Sequence, residues 1–210
     1  MKPCLRNPYR PEIVVILLSL VSGCASADWL SEGKPRIGIE VEHERAADKA
    51  SHTNSLSLIP GLKWEDGWIN MAEILVQTER EIDSEGHQTE KKLGLRLRHD
   101  FDLLPNLKGV IRGLLGRAFS DREDFSYAYV EPAVKYRFDD FEFAVGFRVV
   151  RAIDGTKGHD LNKFRLGPSI DLGRNDEVEF RWVRSWDADT GKQASDTYIV
   201  EYVHKSLLSG

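Results

Sequence analysis

Cysteine is nearly absent. The chain of 210 residues holds two, Cys4 and Cys24. Both fall within the first 27 residues, so the remainder has no disulfide and no thiol nucleophile. Long apolar runs are missing as well. The longest, Ile13 to Val21, is nine residues, apolar except for Ser19, whereas a helix needs about 20 to cross a bilayer. A helical membrane protein is therefore excluded. No glycine-rich phosphate loop precedes a helix, and there is no dinucleotide-binding pattern. The six histidines (His43, His52, His87, His99, His159 and His204) are scattered, with no i,i+4 pair. No metal site and no cofactor are expected from that spacing.

The start of the chain reads as a leader. Lys2, Arg6 and Arg10 precede the apolar run, and Ala25-Ser26-Ala27 is a small-x-small cleavage site. Val21-Ser22-Gly23-Cys24 also fits a lipoprotein box, which leaves two readings: cleavage after Ala27, or lipidation at Cys24. Both export the chain. The expected organisation is a signal peptide over 1–27 and one domain over 28–210. Leaving out Lys2, Arg6, Arg10 and Glu12 takes the 29 basic and 34 acidic residues to 26 and 33, a net of −7. That balance argues against nucleic acid as a partner.

What the chain does have is alternation. Ten runs of period two are read near 35–45, 53–63, 68–80, 88–101, 107–119, 125–138, 141–151, 161–172, 176–186 and 196–205. Leu93, Leu95, Leu97 and Phe101 oppose Lys92, Gly94, Arg96 and Arg98. Phe141, Phe143, Val145, Phe147 and Val149 oppose Glu142, Gly146 and Arg148. Joints after even-numbered runs are tight and hold Gly, Asn and Asp; those after odd-numbered runs average longer. With a leader, this predicts an all-β fold, an antiparallel transmembrane β-barrel of the bacterial outer membrane with ten strands. A soluble sandwich or inside-out barrel has the same alternation and is the other reading. Two runs break the rule. Pro60-Gly61 predicts a bulge or bend in the second. Arg112 and Arg117 have opposite parity, which predicts a bulge near Gly113 or Gly116 in the fifth. Trp64, Trp68, Phe101, Phe138 and Phe141 are expected to form one aromatic girdle. Phe119, Phe125, Tyr127, Trp186 and Tyr198 mark the opposite rim.

Several segments look familiar. Tyr129-Val130-Glu131-Pro132, Lys135-Tyr136-Arg137-Phe138, Asp140-Phe141, Gly146-Phe147-Arg148, Lys163-Phe164-Arg165 and Tyr198-Ile199-Val200-Glu201-Tyr202 resemble strands of the oligogalacturonate-specific porins, the KdgM-like family. The resemblance implies a narrow outer-membrane channel for acidic oligosaccharides and a barrel of twelve strands, the alternative to the ten counted. It also implies that Arg137, Arg148 and Arg165 occupy inward basic positions.

Parity places the charges. Glu40, Glu42 and Glu44, with Glu73, Glu79 and Glu201, gather on strands that adjoin in a closed barrel and form an acidic wall. Lys92, Arg96, Arg98, Lys135, Arg137, Arg148, Lys163, Arg165 and Arg181 form a basic wall, interrupted by Glu131, Glu142 and Glu179. Two consequences stay open. Opposed walls set a transverse field that focuses charged solutes, or Arg and Glu pair into a network that fills the barrel. The expected function is a porin-like channel for small anionic solutes or acidic oligosaccharides, with outer-membrane lipid around a monomer. The expected lining residues are Arg96, Arg98, Arg137, Arg148, Arg165, Arg181, Glu40 and Glu42. A closed structural barrel is the alternative. A lipid-modifying enzyme is the third, since His204-Lys205-Ser206 places His and Ser two apart; no catalytic residue is assigned.

Overall fold

Residues with small turn-formers between them and alternating apolar side chains pair with the next segment of the same kind, because each backbone group needs a partner. The computed structural model describes residues 32–47, 51–65, 68–84, 86–173 and 175–207. The expected signal peptide lies outside these. Ten strands result: β1 (Lys34–Ala46), β2 (His52–Lys63), β3 (Met71–Asp83), β4 (Gly86–Leu104), β5 (Leu107–Ser120), β6 (Phe125–Phe138), β7 (Phe141–Ala152), β8 (Leu161–Asp171), β9 (Asp176–Asp187) and β10 (Gln193–Leu207). Each pairs antiparallel with its sequence neighbour, and β1 pairs with β10, closing a barrel. The count is ten, not the twelve of the alternative.

Ten strands ~4.8 Å apart and tilted about 40° give a backbone diameter of roughly 20 Å. Twelve residues at that tilt rise about 30 Å along the axis, the thickness of a bilayer's hydrocarbon core. Both chain ends of the barrel, Lys34 and Leu207, sit at one rim, called here the terminal rim; the opposite edge is the far rim.

The faces settle which way the barrel is turned. Leu95 is 45% exposed and Phe143 38%, and Ile74, Val76, Leu93, Leu115, Val145 and Phe180 share the outer surface with them. Charged residues turn inward: Glu73, Glu131 and Arg165 are buried. A soluble barrel has the reverse arrangement, so the inside-out reading is excluded, and the apolar exterior is a lipid-facing surface.

The two predicted irregularities differ from expectation. β5 keeps a continuous register with β4 from Ser120 to Lys108, without a bulge at Gly113 or Gly116. Arg112 points inward and Arg117 simply points out, near the far rim. Pro60 does not shift the register either. β2 pairs with β3 on the same register on both sides of Ile59 and Pro60, which have no partner there, while Pro60 still opposes Ile37. Pro132 and Pro168 repeat the arrangement between β6 and β7 and between β8 and β9. Each proline lacks an N–H and opens a short gap in one ladder only. True register shifts occur at the strand ends, between Asp102 and Leu104 and between Gln193 and Ser195.

The aromatic girdle is partly as expected. Trp68, Phe101, Phe138 and Phe141 are exposed at the terminal rim, where Trp68 stacks on His99 and His99 on Phe101. Phe101 covers Gly109, its cross-strand partner, and a Cβ there would clash with the ring at 2.2 Å. Trp64 is buried instead, packed against Gly33. At the far rim Phe119 and Tyr198 are outward, but Phe125 and Tyr127 are buried. They pack inside the barrel with Tyr129 and Leu114, because odd residues of β6 all face the lumen.

Candidate functional site

Carboxylates and guanidinium groups taken out of water need partners, since an uncompensated charge there costs several kcal/mol. The lumen shows how this sequence supplies them. Near the terminal rim, Arg96 on β4 donates from Nε to Glu73 Oε2 at 2.7 Å and from Nη2 to Glu40 Oε1 at 3.0 Å. Glu40 belongs to β1, three strands away round the wall, so this side chain crosses the lumen. Arg36 approaches Glu73 at 3.5 Å without a hydrogen bond, and Arg98 donates to Asp100 at 2.6 Å.

The midsection is organised by Glu131 on β6, which is 3% exposed. Three arginines converge on it: Arg148 Nε at 2.5 Å, Arg165 Nη1 at 2.5 Å and Arg112 Nη1 at 3.3 Å. Arg148 also lies over the Tyr129 ring, 4.2 Å from its centre. On the other side, Arg181 of β9 reaches Glu42 at 2.8 Å, Glu179 at 3.4 Å and Glu201. Lys92 pairs with Glu79 at 2.6 Å, Lys205 with Glu177 at 2.5 Å, and Lys135 with Glu142.

Seven of the eight expected lining residues, Arg96, Arg98, Arg148, Arg165, Arg181, Glu40 and Glu42, border one cavity. Arg137 does not. It stands at the terminal rim, 56% exposed, 3.4 Å from Asp171 and 3.7 Å from Glu142. The two walls are present, but they are not held apart. Arg96 and Arg181 carry charge from the basic wall to Glu40 and Glu42 on the acidic one, so much of the transverse field is neutralised by contact. Lys163 and Glu44, in the far-rim half, are the wall charges without an ion pair among the described residues.

The cavity measures about 380 Å³. It is lined from Gly158, His159 and Ala194 at the far rim to Arg36 and Lys205 near the terminal rim. Ten Arg and Lys and seven Glu border it, and Asp100, Glu131 and Glu177 behind them pair with Arg98, with Arg112, Arg148 and Arg165, and with Lys205, so the charges of the lumen balance closely. A second space of about 30 Å³ lies behind Glu131, between Ala133, Ala144, Gly146 and Gly167. At the far mouth His159 stacks on Phe125 with ring centres 3.7 Å apart. The β7–β8 loop that carries His159 is tied down by Asp154. Its carboxylate accepts from the Ser126 amide and from Thr156 Oγ1 at 2.7 Å. Partial burial acts to raise its pKa, but these hydrogen bonds outweigh that and hold it below the ordinary value.

Sequence reasoning underrated two of these features. Glu131 reads as an interruption of a basic wall rather than its centre, and Phe125 reads as a rim residue. In both cases the odd parity of Phe125, Tyr127, Tyr129 and Glu131 carried the answer.

The His204 site lies on the outer surface. His204 Nδ1 is 2.8 Å from Asp176 Oδ1, and Tyr202 donates its hydroxyl to the same oxygen at 2.6 Å. Ser206, two residues on, makes no side-chain hydrogen bond among the described residues. Among those residues no group of three His, Cys, Asp or Glu is placed to hold a metal ion.

A closed antiparallel barrel of even strand number, with an apolar exterior, an aromatic edge and a charged interior, is a bacterial outer-membrane β-barrel. Solved structures similar to it include the KdgM porin, at 12% identity and TM-score 0.44, over 80% of this chain and 98% of that one. The NanC porin follows at 10% and 0.45, over 80% and 100%. The translocator domain of the autotransporter NalP from Neisseria meningitidis matches at 10% and 0.43, over 93% and 98%. No family model matches the chain, and no curated protein does. At such identities and TM-scores these likenesses carry no information on solute or residue roles.

Proposed function

We propose that this protein is a narrow porin-like channel of the outer membrane that passes small anionic solutes. The observation that carries the reading is the cavity of about 380 Å³, lined by ten basic and seven acidic residues that extend from the far rim to near the terminal rim. The guanidinium groups along the cavity are offered as the contacts for anions, while the fixed carboxylates beside them keep binding weak enough for release, as conduction requires. The guanidinium groups sit on rigid strands, so solute binding orders little.

Acidic oligosaccharides are a narrower version of the same reading. One similar structure is described as the KdgM porin in complex with disordered oligogalacturonate. Passage of a sugar ring through this lumen requires the Arg96–Glu40 crossing and the Glu131 cluster to part. The barrel is proposed to act as a monomer, each lumen serving as its own path.

A closed structural barrel is the second reading, favoured by the three arginines gathered on Glu131. Conductance separates the two. Purified protein in planar bilayers should give discrete steps and a reversal potential of anion-selective sign under a KCl gradient. The double exchange Arg148→Glu with Arg165→Glu should move that potential toward cation selectivity. An unchanged potential in that variant would mean that the charged lumen is packing.

A further inference from the structure

Above the apolar exterior, the far rim carries a belt of outward cations. Parity assigns Arg45 of β1, Arg80 of β3, Lys91 of β4 and Arg117 of β5 to the outer surface, and all are exposed. Register brings the last three together. Arg80 opposes Thr89 and Thr78 opposes Lys91; Lys91 in turn opposes Phe119, and Leu93 opposes Arg117. The three cations are thus successive diagonal neighbours on one face, with Cβ atoms ~7 Å apart. Thr78 and Thr89 stand between them.

Two further observations point to an anionic occupant. First, Arg45, Arg80 and Lys91 have no carboxylate within ion-pair distance among the described residues, unlike most lumen cations. Arg117 has a distant one, Asp124 at 3.9 Å, and lies 5.4 Å from the centre of the Phe119 ring. Second, no acid shares the outward row in the far half of β1 to β5. Directly below the belt the same face exposes Val41, Leu56, Val76, Leu93 and Leu115. A molecule that fits both parts has acyl chains and a phosphate-bearing headgroup.

We propose that the β3–β5 face is a docking surface for a phosphorylated lipid of the leaflet at the far rim. The phosphate sits among Arg80, Lys91 and Arg117, hydrogen-bonded also by the threonine hydroxyls, and the chains lie on Val76, Leu93 and Leu115. Arginine and lysine on a bilayer edge contribute about a factor of five each toward an anionic lipid. The surface is independent of the lumen and of whether the barrel conducts.

The test uses the full chain refolded in a neutral detergent, titrated with diphosphoryl lipid A and followed by native mass spectrometry. The variant is Arg80→Gln/Lys91→Gln/Arg117→Gln, with Arg184→Gln as a control, because Arg184 is already bound to Asp196 at 2.7 and 2.8 Å. The triple variant should bind on the order of a hundredfold more weakly, the control should bind like wild type, and ion conductance should not change in either. Single Arg80→Gln and Lys91→Gln variants, each about fivefold weaker, replace the triple if it does not refold. Equal binding by wild type and the belt variants would overturn the proposal. So would full competition by inorganic phosphate, which would mark a free-anion site instead of a lipid surface.

Discussion

Arg165 on β8 reaches across β7 to share the carboxylate of Glu131 on β6, placing its Nη1 2.5 Å from Oε2. Arg148, on the strand between them, contacts the same oxygen. One acid therefore ties three consecutive strands from inside, and Arg112 adds β5. Glu131→Ala leaves three guanidinium groups facing one another in a confined lumen. The expected result is a barrel about 3 kcal/mol less stable, read from urea unfolding of refolded protein. A change near zero would mean that solvent already screens these charges.

Orientation in the membrane is tested by the outer face. Leu95→Arg and Phe143→Arg place a cation against hydrocarbon and should each cost about 2–4 kcal/mol of folding free energy in lipid vesicles. The same substitution at Ala144, which faces the second lumen space, perturbs charge pairing instead and should respond to salt. Equal tolerance at all three positions would contradict the assignment of faces.

Close backbone approach sets a third expectation. A Cβ on Gly167 would lie 1.8 Å from the Phe180 carbonyl oxygen, so β8 and β9 meet only because that side chain is missing. Gly167→Val should prevent closure at this seam, seen as loss of the compact, heat-modifiable form on electrophoresis. A variant that folds with wild-type mobility would contradict the close approach of β8 and β9.

The sequence revealed the strands and their faces, because alternation is a local property and each residue's parity is visible without a fold. Leu95 and Phe143 outward, Arg96 and Arg148 inward, all follow from it. Partners were not legible. Whether Arg96 meets Glu40 depends on tilt and stagger around a closed wall, which no single run encodes. Opposite parity of Arg112 and Arg117 suggests a bulge in β5 only if both arginines face the lumen; an outward arginine at the rim needs no irregularity. Proline misled in the same manner: Pro60 interrupts one ladder, and the neighbouring ladder keeps the register.

Phe125, with His159 stacked upon it, lines the far mouth. Phe125→Ala removes that ring and should raise single-channel conductance without changing its sign of selectivity, since no charge is altered. Unchanged conductance would place the limiting constriction deeper, at Glu131.

The central claim is that ions cross this barrel through its charged lumen and that anions do so preferentially. The reversal potential of the wild-type protein in a planar bilayer under a KCl gradient tests it most directly. Discrete steps with a potential displaced toward that of chloride are the predicted result. A membrane that stays silent at high protein incorporation, or a potential displaced toward that of potassium, would contradict it.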